Sequence, residues 1–237
     1  MAGKYMRGAL IEFMPTFLVP LPNVIVFQYN PETITHTWSQ PEPVADRGNP
    51  LAVKGMPGES FSLTIAMDAG DMIADGSAVA EGIATVSGIY TRLAALEMLM
   101  FPVDAGGGGL VGSVSVSVSA GGASLGLGGA AGGVERSIPE SQTPVVLFVW
   151  GPGRIVPVRV TSLNITEKLY DGLLNPTHAE ATLGLRVLTP DELHALGKDP
   201  LKDIAKAAYT YSQGLRQALA VANLANSAES IVGMLPL

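Results

Sequence analysis

The sequence predicts an α+β fold that is mainly β: a β-barrel or sandwich with one packed helix and a helical C-terminal tail. Three observations carry that reading. Val145–Thr189 holds an apolar run, a long extended segment and an alternating return segment, as in one buried strand feeding a long hairpin. Ser60–Asp68 alternates with period two. Two stretches, 82–100 and 201–231, change to a helical period.

Val145-Val-Leu-Phe-Val-Trp-Gly151 is apolar nearly throughout, as expected of a strand covered on both faces. The segment Arg154–Tyr170 follows. Val156, Val158 and Val160 set one face, whereas Leu163, Ile165 and Leu169 take the opposite parity. That slip of phase predicts a β-bulge and a bent strand. Asp171-Gly172 and Asn175-Pro176 supply turn chemistry. In His178–Thr189, Ala179, Ala181, Leu183, Leu185 and Val187 share one side, so this is a half-buried strand.

Earlier in the chain, Val24–Tyr29 reads as a strand ended by Asn30-Pro31-Glu32, and Ile34–Ser39 as a second extended piece. Gln40–Gly58 is a proline- and glycine-rich loop. In Ser60–Asp68, Phe61, Leu63, Ile65 and Met67 share the core face. Ala69–Gly82 reads as a small-residue loop. From Gly82 to Met100, Val86, Ile89, Leu93, Leu96 and Met100 mark one helical face, and Pro102 stops the helix. Lying between strands, this helix is expected to plug or flank the β structure.

Residues 104–135 break the composition: 12 of the 29 residues from Ala105 to Gly133 are glycine. This is an insertion, expected to be disordered on its own. Its Val111–Ser119 core alternates strictly and is suited to form an edge strand when a neighbour supplies a partner. Val114, Val116 and Val118 are therefore candidate assembly contacts. After Pro190, acidic residues open a helix, Pro200 interrupts it, and an alanine-rich helix follows. Tyr211 and Leu215 on that helix are candidate docking positions; packing on the protein's own barrel is the equal alternative. The organisation is thus a β domain at 1–190 and a helical extension at 191–237.

Composition narrows the function. The chain has 237 residues, enough for a sizeable core. Charged residues make up 15%, against roughly 25% in an average soluble domain, so part of the surface is expected to be covered by partners. A net charge of −7 without a basic run argues against nucleic acid. Cysteine is absent, which excludes disulfides, thiolate metal sites and a cysteine nucleophile. Ala105–Val134 lacks ionisable side chains, but its Gly, Ser and Ala make a poor lipid-facing helix, so no direct membrane insertion is expected. Asp68, Asp71 and Asp75 read as a solvated acidic loop rather than a calcium site. His36, His178 and His194 lack metal-ligand spacing. No catalytic constellation, cofactor site or metal site is read; Phe27, Trp38, Trp150 and Tyr170 read as core aromatics.

With the strands placed, a family resemblance emerges. Phe27-Gln-Tyr-Asn30-Pro31-Glu32 resembles the Phe-x-x-Asn-Pro-Glu opening of contractile injection system tube-type proteins. Ser60–Ala69 resembles their Phe-x-Leu-x-Leu-x-x-Asp strand, Pro144–Gly151 their Pro-x-x-x-Phe-x-Trp-Gly strand, and Val158–Leu188 the hairpin that follows, with Glu167-x-x-Tyr170 and Asn175-Pro176. The similarity runs over roughly residues 7–190 in the family's order.

The resemblance implies a tube-subunit-like fold, repeated in a six-membered ring that joins the inner tube to the baseplate spike hub. It implies partners: further copies of itself, the inner tube protein, and spike hub and baseplate proteins. It also implies cytoplasmic assembly within a phage-tail-like particle, which is released or membrane-associated as a whole. The turn at Asn30 and Pro31 falls near a subunit boundary in this reading. The LysM-like domain of several members is missing after Pro190, which argues against peptidoglycan as a partner. Alternatives are an inner tube or tube-initiator subunit, or a peptidoglycan-binding tail component.

Overall fold

The computed structural model describes residues 5–13, 22–41, 49, 51–74, 87–101, 114–119, 122–127, 143–195 and 200–232. Its body is one antiparallel seven-stranded sheet. The strands are β1 (Ala9–Phe13), β2 (Pro22–Val26), β3 (Ile34–Ser39), β4 (Gly58–Asp68), β7 (Val146–Val149), β8 (Ile155–Glu167) and β9 (His178–Val187), in the order β2-β1-β7-β8-β9-β4-β3. The fold is therefore α+β and mainly β, as expected. The sheet is open: β2 and β3 are its two edges, and among the described residues they do not pair to close a barrel.

The most apolar strand lies deepest. β7 sits between β1 and β8, and Val146, Leu147 and Phe148 are all buried. In β4, Phe61, Leu63, Ile65 and Met67 present one buried face, which continues across β9 through Ala179, Ala181, Leu183, Leu185 and Val187. The bulge appears where the phase slips: the β8–β9 register shifts between Val160 and Ser162. Gly184 lies opposite, where a Cβ would stand 2.3 Å from Ser162 Oγ. Val156, Val158 and Val160 are buried before the bulge, and Leu163 and Ile165 pack against the same core after it.

The N-terminal half differs from expectation. β1 is an additional strand; Leu10 is fully buried, and the strand is the bridge between β2 and β7. The strand expected at Val24–Tyr29 is Pro22–Val26. Phe27 follows the strand, donates its N–H to Gly8 O (2.8 Å) in continuation of the β1–β2 pairing, and shares the buried face of Ile25 with its ring beside Trp150.

Residues expected as a loop after Asp68 begin with a short helix, α1 (Ala69–Ala74). Asp68 caps it, its Oδ1 accepting the N–H groups of Gly70 (2.8 Å) and Asp71 (3.3 Å). The next helix, α2 (Tyr90–Met98), buries Ile89, Leu93, Leu96 and Leu99 in the main core. Met100, expected on this face, is 37% exposed, and Leu99 takes its place. The beginning of the expected helix, with Val86, lies outside the described residues.

Thr189 and Glu192 form a reciprocal cap at α3 (Pro190–Ala195). The Thr189 N–H donates to Glu192 Oε2 (2.9 Å), and the Glu192 N–H donates to Thr189 Oγ1 (3.4 Å). The last helix, α4 (Pro200–Val232), is held on the sheet by its first half. Ala205 and Ala208 are buried, and Ser212 Oγ both accepts the Ile155 N–H (3.3 Å) and donates to Ile155 O (2.6 Å).

Within the Gly-rich insertion, β5 (Val114–Ser119) and β6 (Gly122–Leu127) make a separate two-stranded ribbon. The strand partner expected from a neighbour is thus supplied by the same chain. The register pairs Val114 with Leu127, Val116 with Leu125 and Val118 with Ala123, which places these six positions on one face of the ribbon. The rest of the insertion lies outside the described residues.

Candidate assembly surface

The features that stand out are at the two ends of the sheet. At one end the β8–β9 hairpin projects as a tip. Its rungs are the Lys168 N–H to His178 O (2.9 Å), the Thr177 N–H to Leu169 O (2.7 Å) and the Asp171 N–H to Asn175 O (2.9 Å). Asp171 organises the turn. Its Oδ1 accepts the N–H groups of Leu173 and Asn175, both at 2.8 Å, and its Oδ2 accepts Asn175 Nδ2 (2.9 Å). Those hydrogen bonds, first from the Asn175 side chain and then from the backbone, hold the Asp171 carboxyl below the usual range.

The base of the tip is wedged against the start of α2. The Ile89 N–H donates to Pro176 O (3.1 Å). Gly88 has φ +57°, and a Cβ there would lie 2.4 Å from Pro176 O. The tip is thus ordered by polar bonds rather than by burial. It carries apolar side chains outward: Leu173 is 79% exposed and Leu174 74%, with Leu169 and Tyr170 also exposed. Leu174 has φ +65°, a left-handed conformation costing a leucine roughly 1–2 kcal/mol. Tyr170 is therefore a surface residue, not the core aromatic the sequence suggested.

At the other end, α3 and α4 border a groove of about 300 Å³. Met56, Pro190, Leu193 and Tyr209 give it an apolar lining, with His194 and Lys206 as its ionisable groups. Beside it, a polar cluster joins α4 to the sheet. Glu59, 4% exposed, accepts from Arg216 Nη1 (2.9 Å) and Nη2, and pairs with His36 Nε2 (2.9 Å). The Arg216 guanidinium lies over the Trp38 ring. Trp38 is otherwise exposed, against the expectation of a core position, whereas Phe27 is buried and Trp150 partly so.

The sequence-selected positions fall in different places. Asn30 is exposed, but its side chain is committed: Oδ1 accepts the Gly8 N–H (2.9 Å) and Nδ2 donates to Met6 O (2.9 Å). It ties the turn to the entry of β1, and Pro31 follows half-buried. Val114, Val116 and Val118 lie in the ribbon. Tyr211 donates its hydroxyl to Pro152 O (2.8 Å) while its ring is half exposed, and Leu215 is partly covered. Beyond them Leu219, Val221 and Leu224 on α4 are well exposed. None of these positions adjoins the tip in sequence or in the strand ladder; sequence reasoning missed the tip because its turn residues read only as a connection. Adjacent leucines inside a turn are the signal that marks it.

Of the acidic loop, Asp68 and Asp71 serve the α1 cap and nearby side chains, and Asp75 lies outside the described residues. Among the described residues, no group of three or more His, Cys, Asp or Glu is placed to hold a metal ion. No helix among them is long and apolar enough to cross a membrane. No protein-family model matches the chain, and a search of curated proteins finds no match.

Proposed function

We propose that this protein is a structural ring subunit of a phage-tail-like contractile injection system, joining the inner tube to the baseplate spike hub. The observation that carries the reading is the open sheet with two free edges, β2 and β3, among the described residues. Free edges are templates for strand addition. A heterologous contact of one edge with the other, repeated about a rotation axis, closes into a ring. Val24 and Val26 on β2 and Trp38 on β3 are exposed beside those edges. The family-like motifs add to this, since the Asn30 turn and the Trp150-Gly151 strand end are adjacent, both serving the entry of β1 at Gly8. The protein acts by docking, without catalysis or cofactor. It assembles in the cytoplasm with copies of itself and with tube, hub and baseplate proteins.

Native mass spectrometry of the purified protein, alone and co-expressed with the tube and hub proteins, tests this. A six-subunit species is expected. A monomer under both conditions contradicts the reading.

A further inference from the structure

The tip and the groove lie at opposite ends of β9. Its ten residues separate them by roughly 30 Å, at about 3.4 Å per residue. One end offers a rigid apolar projection and the other an apolar recess. We infer that the Leu173–Leu174 tip of one copy seats in the α3–α4 groove of a second copy, head to tail. This axial contact is separate from the edge pairing proposed above and goes beyond it.

Three features assign a second copy as the occupant. The first is size. A cavity of about 150 Å³ suffices for a benzene molecule, so a groove of about 300 Å³ has room for two leucine side chains. The second is charge. Lys206 is the cationic group of the groove lining, while the tip carries Glu167 and Asp171 and its one lysine, Lys168, is paired with Glu180, so the tip is net negative and the polar rims attract. The third is preorganisation. The turn is fixed before docking by the Asp171 bonds and by the Ile89 N–H to Pro176 O bond at its base, so little ordering entropy opposes association. The Leu174 backbone strain is consistent with a position selected for what it presents rather than for stability.

Because the natural chain has no cysteine, directed cross-linking is clean. Leu173→Cys and Thr210→Cys are exposed positions at the tip and at the groove. A mixture of the two full-length variants, mildly oxidised, is expected to give a disulfide-linked pair, and neither variant alone is expected to do so. Sedimentation is expected to show head-to-tail association weakened on the order of a hundredfold in Leu173→Asp/Leu174→Asp, with the fold and the edge-paired ring kept. Lys206→Glu is expected to weaken it less, with partial recovery when mixed with Glu167→Lys.

Cross-linking of Leu173→Cys with itself overturns the head-to-tail geometry. Absence of the mixed cross-link overturns the contact, as does capture of Leu173→Cys only by a tube or hub protein. Six-membered rings without the mixed cross-link sink this contact and spare the ring reading; the cross-link without rings does the reverse.

Discussion

Arg216 on α4 donates both guanidinium nitrogens to Glu59 on β4, with Nη1 2.9 Å from Oε2. The two residues lie 157 positions apart in sequence. This pair adds to Ala205, Ala208 and Ser212 in holding the last helix on the sheet. Glu59 is buried, so removing Arg216 leaves its charge with His36 alone. Charge-assisted hydrogen bonds contribute about 1.5–3 kcal/mol. Arg216→Ala is therefore expected to lower unfolding stability by about 2 kcal/mol in urea melts, and to make α4 more sensitive to protease. A loss under about 0.5 kcal/mol would mean the pair does not hold the helix.

Gly88 is required by two constraints at once, its positive φ and the closeness of Pro176 O. The obstacle is backbone and cannot rotate away. Gly88→Ala is expected to cost more than about 2 kcal/mol. Gly153→Ala, with nothing within 4 Å of the new Cβ, is the control and is expected to change stability by no more than about 0.5 kcal/mol.

Leu174→Gly separates folding from assembly. Glycine accepts φ +65° without strain, and the leucine it replaces is 74% exposed. Thermal stability is expected to stay level or to rise by up to about 1 kcal/mol. Self-association is expected to fall. A variant that is both less stable and fully associated contradicts the role given to this side chain.

Two carboxyls give pH effects of opposite sign. Burial pushes Glu12 above its ordinary 4.5, against a smaller downward effect of the Asn23 hydrogen bond. Its contribution to stability is present below 4.5 and is lost as pH rises through its folded value. Glu12→Gln is thus expected to be more stable than the natural protein at pH 7, with the advantage vanishing near pH 4. Asp68 goes the other way. Desolvation pushes it up, but the combined hydrogen bonds from His178, Asp71 and Gly70 hold it below its ordinary 3.8. Its contribution is present above 3.8 and is lost as pH falls through the lower folded value. Asp68→Asn is expected to flatten the acid limb of the stability curve. Melting temperatures measured from pH 2 to 8 check both.

Deletion of residues 106–133 removes β5, β6 and their flanks without removing any strand of the seven-stranded sheet. The shortened protein is expected to keep its melting transition and to assemble more weakly. Normal assembly of the deletion protein into particles would contradict a docking role for Val114, Val116 and Val118.

Periodicity made the central strands legible. The alternation in β4 and β9, the apolar run of β7 and the phase slip at Val160 each follow from which side chains must meet the core. β1 was not legible, because five residues beside basic and proline-rich sequence show too little period. α1 was hidden because its signal is a single capping aspartate before only six helical residues. The Thr189-x-x-Glu192 cap could have been read directly. Barrel closure is a property of edge pairing, which no residue pattern within one strand encodes. The tip and groove were invisible for a related reason: exposure of Leu173 and Leu174 depends on what the fold fails to place over them.

Membership of a ring between tube and baseplate is measurable in the host. The tagged protein would be followed by pelleting large particles, with mass spectrometry and electron microscopy of the pellet. It is expected to co-sediment with sheath, tube and spike proteins in rod-shaped particles, located between tube and baseplate. Its presence only in the soluble fraction, in a host shown to make such rods, would contradict a ring-subunit role.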